Sequence, residues 1–109
     1  MAYSEELAER IRGHLEGNPN IEEKAMFGGL TFLLNGNMSV GIIGDELMVR
    51  VGKESHDEVV ALPGTRIMDF TGRPMKGWVV VTTSAIKKED SLGEWVERGV
   101  GFASSLPAK

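Results

Sequence analysis

The chain has 109 residues, 12 basic against 16 acidic side chains, a formal net charge of −4 and no cysteine. That length fits one domain, residues 1–109, with a core that needs no covalent staple. The missing cysteines exclude a disulfide framework, a thiolate nucleophile and a Cys-ligated metal centre, and they suit a reducing compartment.

The elements follow in chain order. Ser4 is a candidate N-cap ahead of Glu5 and Glu6, whose carboxylates favour a helix N-terminus. Leu7, Ile11 and Leu15 then recur every four residues, so the first element is a helix that Gly17-Asn18-Pro19 ends. Glu23–Phe27 is a short strand stopped by Gly28-Gly29. Residues 30–34 and 38–43 flank Asn35-Gly36, the strongest short hairpin signal, because both residues tolerate positive φ. Gly44-Asp45 marks a second tight turn before a strand over 46–51, in which Leu47, Val49 and Val51 share a face. Residues 53–62 read as a helix stopped by Pro63-Gly64, and 66–70 as a short strand. The β-rich run Trp78–Thr83 reads as a central strand. A last helix runs from about Lys88 or Asp90 to Leu106, with Leu92, Trp95, Val96, Val100 and Ala103 at helical spacing. The resulting order, α-β(3-4)-α-β(2)-α, is an α+β two-layer sandwich: an antiparallel sheet with helices on one face.

Charge is uneven along this order. Residues 1–49 carry three bases against eight acids, residues 50–88 seven against four, and residues 89–109 two against four. Clustered Lys and Arg are what nucleic acid demands, and only the middle segment offers them: Arg50, Lys53, Arg66, Arg73, Lys76, Lys87 and Lys88. The acidic total disfavours nucleic acid as a partner. The acidic N-terminus lacks an apolar signal region, and no apolar run approaches the roughly 20 residues that span a bilayer. The expectation is a cytoplasmic protein with no membrane partner.

Chemical motifs are scarce. His14 and His56 lie on separate helices with no i,i+4 histidine, so they read as partly exposed surface residues and not metal ligands. There is no nucleophile elbow and no phosphate loop. Gly99-Val100-Gly101 falls inside a helix, where small residues let a helix pack closely on a sheet. No cofactor and no catalytic residue is expected.

The residues that retain interest form a candidate interaction surface: Lys24, Gly28, Gly29, Arg50, Arg73, Met75, Lys76 and Trp78. Gly28-Gly29 permits positive φ or close backbone approach. Arg50 points away from Val49 and Val51, toward the solvent face of the sheet. The loop Gly72-Arg73-Pro74-Met75-Lys76-Gly77-Trp78 combines two bases with an aromatic. Met26, Met38, Met48, Met68 and Met75 all fall in the sheet region and read as core filler.

Lys24-x-Met26-Phe27-Gly28-Gly29, then Phe32, Asn35-Gly36-Asn37-Met38 and Asp45-x-Leu47-Met48-Val49-Arg50-Val51, resembles the N-terminal domain of the TfoX/Sxy family. The string from Met68 to Trp78 and the ending from Trp95-Val96 to Lys109 look like a stand-alone short form. The resemblance runs from about Glu23 to the end. It implies a secretion-chaperone-like fold, α-β(3)-α-β(2)-α, and kinship with bacterial regulators of natural competence that carry a second domain and act with a cyclic-AMP receptor protein. It implies no enzyme activity and no cofactor.

Three functions follow as expectations. The first is a non-catalytic regulatory module that binds a protein or a second copy of itself, with residues 30–34 or 78–83 as the pairing segment if either is a free edge. The second is nucleic-acid binding through the 50–88 bases. The third is a small-molecule binder or small enzyme using a sheet–helix cleft near Arg50, Asp69 and Arg73.

Overall fold

The computed structural model describes residues 3–26, 29–69 and 74–108. Helix α1 (Glu5–Leu15) starts as its sequence dictates: the Ser4 side chain accepts a hydrogen bond from Leu7 N at 3.1 Å, with Glu5 and Glu6 in the first turn. Six strands follow, β1 (Ile21–Met26), β2 (Gly29–Leu34), β3 (Asn37–Ile43), β4 (Glu46–Arg50), β5 (Thr65–Asp69) and β6 (Pro74–Val81). Helix α2 (His56–Val60) connects β4 to β5, and a 3-10 turn (Thr83–Ile86) leads from β6 into α3 (Glu89–Ser104). Helix α2 is a short stretch of the helix expected over 53–62, because residues 53–55 and 61–64 form turns and bends on either side of it.

All six strands form one antiparallel sheet in the order β1-β2-β3-β4-β6-β5. The Asn-Gly hairpin is present as expected: Asn35 has φ 53° and Gly36 φ 83°, the mirror-image turn that matches strand twist. Where β2 and β3 slip register between Phe32 and Leu33, the Ser39 hydroxyl donates to the Phe32 carbonyl at 2.8 Å. That bond satisfies a carbonyl that the irregular ladder leaves over.

The strand order bears out the central place expected of the run from Trp78 and removes two candidate pairing edges. Strand β6 lies between β4 and β5, and β2 lies between β1 and β3, so neither residues 30–34 nor residues 78–83 are a free edge. The edges are β1 and β5. Valine-rich β6 suits an interior position because β-branched side chains pack well on both faces. Edge β1 exposes Glu22, Glu23 and Lys24, charges of the kind that discourage edge-to-edge pairing.

Alternation along the strands sorts two faces. Leu30, Phe32, Val40, Ile42, Leu47, Val49, Val79 and Val81 point to the helices and meet Leu7, Ala8 and Ile11 of α1, Val59 of α2, and Leu92 and Val96 of α3 in the main core. On the opposite face Met48, Trp78 and Val80 form a second cluster, with Met38 and Ile43 packed against it. Met48 therefore is core filler, as expected of the methionines. The side chains of Met26, Met68 and Met75 lie outside the described residues.

Helix α3 crosses β2, β3 and β4, and α1 lies on α3. Gly99 explains the closeness of that crossing. A Cβ there would sit 2.6 Å from the Ser39 carbonyl oxygen and 2.6 Å from Val40 Cγ1, whereas one at Gly101 would meet nothing within 4 Å. Only the first of the two glycines serves helix–sheet packing. Among the described residues, no helix is long and apolar enough to cross a membrane.

Candidate functional site

Strand β4 ends at Arg50, and the chain then turns through Val51-Gly52 beside the start of the paired stretch of β6. Val51 N and Gly52 N both donate to the Gly77 carbonyl, at 2.8 and 3.1 Å. Gly52 has φ 85° and Gly77 φ 98°, a backbone region that side-chain-bearing residues rarely enter. Gly52 is further constrained because a Cβ would lie 2.4 Å from the Phe102 ring. These two glycines bring the 52–55 turn, the end of the sheet and the C-terminal turn of α3 together.

The result is an open cleft of about 590 Å³ whose lining includes Arg50, Lys53, Glu54, Trp78, Phe102 and Ser105. Arg50 pairs across the ladder with Trp78, so both belong to the sheet face away from the helices. Arg50 does not stand in solvent as expected. It is half-buried, its guanidinium lies 5.4 Å from the Phe102 ring centroid, and Nη1 donates to the Met38 carbonyl at 3.4 Å. Stacking on an aromatic ring fixes a guanidinium while leaving its edge donors available. Trp78 is 8% exposed, its ring held in the second cluster.

Arg10, Arg12 and Arg66 are engaged by glutamates, whereas exposed Arg98 lies over the Trp95 ring at 5.2 Å and, like Arg50, pairs with none of the described carboxylates. The Arg10 guanidinium pairs with Glu89 and donates from Nη2 to the Ile86 carbonyl at 2.7 Å, and His14 Nε2 meets the second Glu89 oxygen at 3.0 Å. Hydrogen bonding to Arg10 holds the Glu89 carboxyl below the usual range. Arg12 bridges Glu9 and Glu23, with both Glu23 oxygens at 2.7 Å, and it lowers the Glu23 carboxyl in the same way. Arg66 pairs with Glu46. Arg50 has no carboxylate within salt-bridge distance among the described residues.

The structure thus brings two of the eight surface candidates, Arg50 and Trp78, into one cleft. Lys24 lies exposed on edge strand β1, three strands away from β4. Gly29 is buried in β2, where a Cβ would sit 1.9 Å from the Ile42 carbonyl oxygen, so its smallness serves strand pairing. Met75 and Lys76 belong to β6 by their backbone. Their side chains, the side chain of Asp69, and residues Phe27, Gly28 and Arg73 lie outside the described residues. The five described bases of 50–88 do not line one cleft: Arg50 and Lys53 share the sheet-end cleft, Lys87 and Lys88 line another beside Trp95, and Arg66 is paired.

Sequence reasoning missed Phe102, Gly52, Ser105 and the particular role of Lys53. Phe102 reads as a core position at helical spacing. A glycine directly after a strand and another before Trp78 were the available signals for the turn. His56 also departs from expectation: it is buried at 6% exposure, with no partner for Nε2 among the described residues, because α2 turns it inward beside Val59.

A larger hollow of about 680 Å³ between α1 and the 3-10 turn includes Glu6, Arg10, Asp45, Lys87 and Glu89. Its charges are mixed, and Arg10 is already held by Glu89. No group of three or more potential metal ligands occurs among the described residues.

A family-model comparison matches residues 14–103 to the TfoX N-terminal domain. No curated protein and no solved structure matches the chain.

Proposed function

Because the chain belongs to the TfoX N-terminal domain family, we propose that it is a non-catalytic regulatory module that binds a protein partner through the cleft at the Arg50–Trp78 end of its sheet. Membership supports a regulatory or competence-related module at the level of the family. The observation that carries the finer reading is the cleft itself. It combines an aromatic-braced arginine, a second cation at Lys53 and rings from Trp78 and Phe102. Aromatic and arginine side chains in partly desolvated pockets are the usual anchors of protein interfaces.

Nucleic acid is the main competitor, and the scatter of the bases counts against it. A phosphate-tracking surface needs several cations in line. Anisotropy of a labelled random duplex, titrated with the protein at low and moderate salt, separates the two. The expected result is no binding at low salt, where charge attraction is least screened. Tight binding that collapses as salt rises would replace the protein-binding reading with a nucleic-acid one.

A further inference from the structure

We propose that the sheet-end cleft receives a carboxylate, presented by an acidic side chain on an extended segment of the partner protein; this rests on the protein-binding reading above. The first argument is donor supply. A guanidinium carries five N–H donors. Arg50 spends one, on the Met38 carbonyl at a long 3.4 Å, and meets no carboxylate among the described residues. Arg10, Arg12 and Arg66, in contrast, are each matched with glutamates, and Arg98, the other described arginine without a carboxylate, lies exposed over Trp95 and outside the cleft.

The second argument is preorganisation. Arg50 is half-buried and braced by Phe102, so little side-chain freedom remains to be lost when an acid docks. Bidentate pairing with a carboxylate is the geometry its fork favours. The third argument is charge count. Arg50 and Lys53 face one acid, Glu54, across the cleft. Among the described residues that leaves a surplus of one positive charge, which matches a carboxylate better than a phosphate carrying nearly two negative charges. The cleft is also open, and Trp78 and Phe102 contribute to its walls. An extended chain can therefore lay one acidic side chain on Arg50 and its neighbours along the rings. The molecule as a whole is acidic, so this cleft is a local exception toward which an acidic segment is steered.

The test is fluorescence anisotropy with a short labelled peptide of alternating glutamate and serine, using the whole chain at low salt. A peptide with lysine at every glutamate position and inorganic phosphate as a competitor complete the set. The glutamate peptide should bind and the lysine peptide should not. Arg50→Gln should weaken binding about tenfold or more, the scale of a lost charge-assisted pair. Lys53→Glu, at an exposed position, should weaken it comparably without loss of fold, so the outcome survives even if Arg50→Gln unfolds the protein. Lys88→Ala, in the cleft beside Trp95, should leave it unchanged. The proposal is overturned if the glutamate peptide fails to bind, if Lys53→Glu binds like the parent, or if phosphate displaces the peptide at equal concentration. Failure of the peptide with no duplex binding removes the carboxylate assignment and leaves the protein-binding reading standing. A duplex that binds and displaces the peptide removes both.

Discussion

Phe32→Ala should lower the unfolding free energy by about 3–5 kcal/mol, the range for emptying a fully buried aromatic site. Phe32 has 0% exposure and sits on interior strand β2, under the crossing of α3. Its strand neighbours across the ladder are Glu23 and Val40, and the bulge just beyond it is closed by Ser39. The hole cannot be filled by a local shift, because strands on both sides hold the backbone. Urea unfolding followed by circular dichroism would measure it, and a loss below about 1 kcal/mol, typical of surface sites, would mean that the helix-covered face is misassigned. Trp95 carries a smaller expectation. It is only half-buried, with Arg98 5.2 Å from its ring, so it shields the core margin and does not fill its centre.

Gly29→Ala should be nearly as damaging, by about 3 kcal/mol, although it adds a single methyl group. The added Cβ would lie 1.9 Å from the Ile42 carbonyl oxygen and 3.1 Å from the Ile42 carbonyl carbon. Both atoms belong to the backbone of the neighbouring strand, so no side chain can rotate away. The β2–β3 ladder itself must move, and overpacking that displaces backbone reaches the upper end of the usual range. Urea unfolding of the variant checks the size of the effect. Unchanged stability would mean that β2 and β3 are further apart than described. Of the two uses the sequence offers for Gly29, positive φ or close backbone approach, the strand pairing uses the second. What it supplies is room.

Local signals in the sequence were legible because local physics decides them. The Ser4 cap, the Asn35-Gly36 turn, the apolar stripe of α3 and the α+β class all follow from capping, turn geometry and periodicity within a few residues. Strand order is different. The β-rich run from Trp78 reads as central, as it is, but nothing between residues 50 and 80 announces that β4 and β5 are its neighbours, because that choice is made by which apolar face finds the core. The cleft was half legible. Arg50 and Trp78 stood out as unusual residues in a strand context, but their meeting with Phe102 is a tertiary contact across about 50 residues of chain. Phe102 falls at a spacing that every amphipathic helix shows, so its position over a guanidinium has no sequence signature. The basic run of 50–88 misled in the opposite direction: adjacency in sequence did not produce adjacency in space, and Lys87 and Lys88 line a separate cleft.

Site-directed photo-crosslinking tests the interaction account most directly. A benzophenone amino acid replaces Ser105, which is exposed and lines the sheet-end cleft, and in a second strain it replaces Lys88, in the cleft beside Trp95. Irradiation of cells making each form should give a discrete protein adduct from position 105, reduced by Arg50→Gln, and none from position 88. Equal adducts from both positions, no adduct from position 105, or adducts to nucleic acid there would contradict the account.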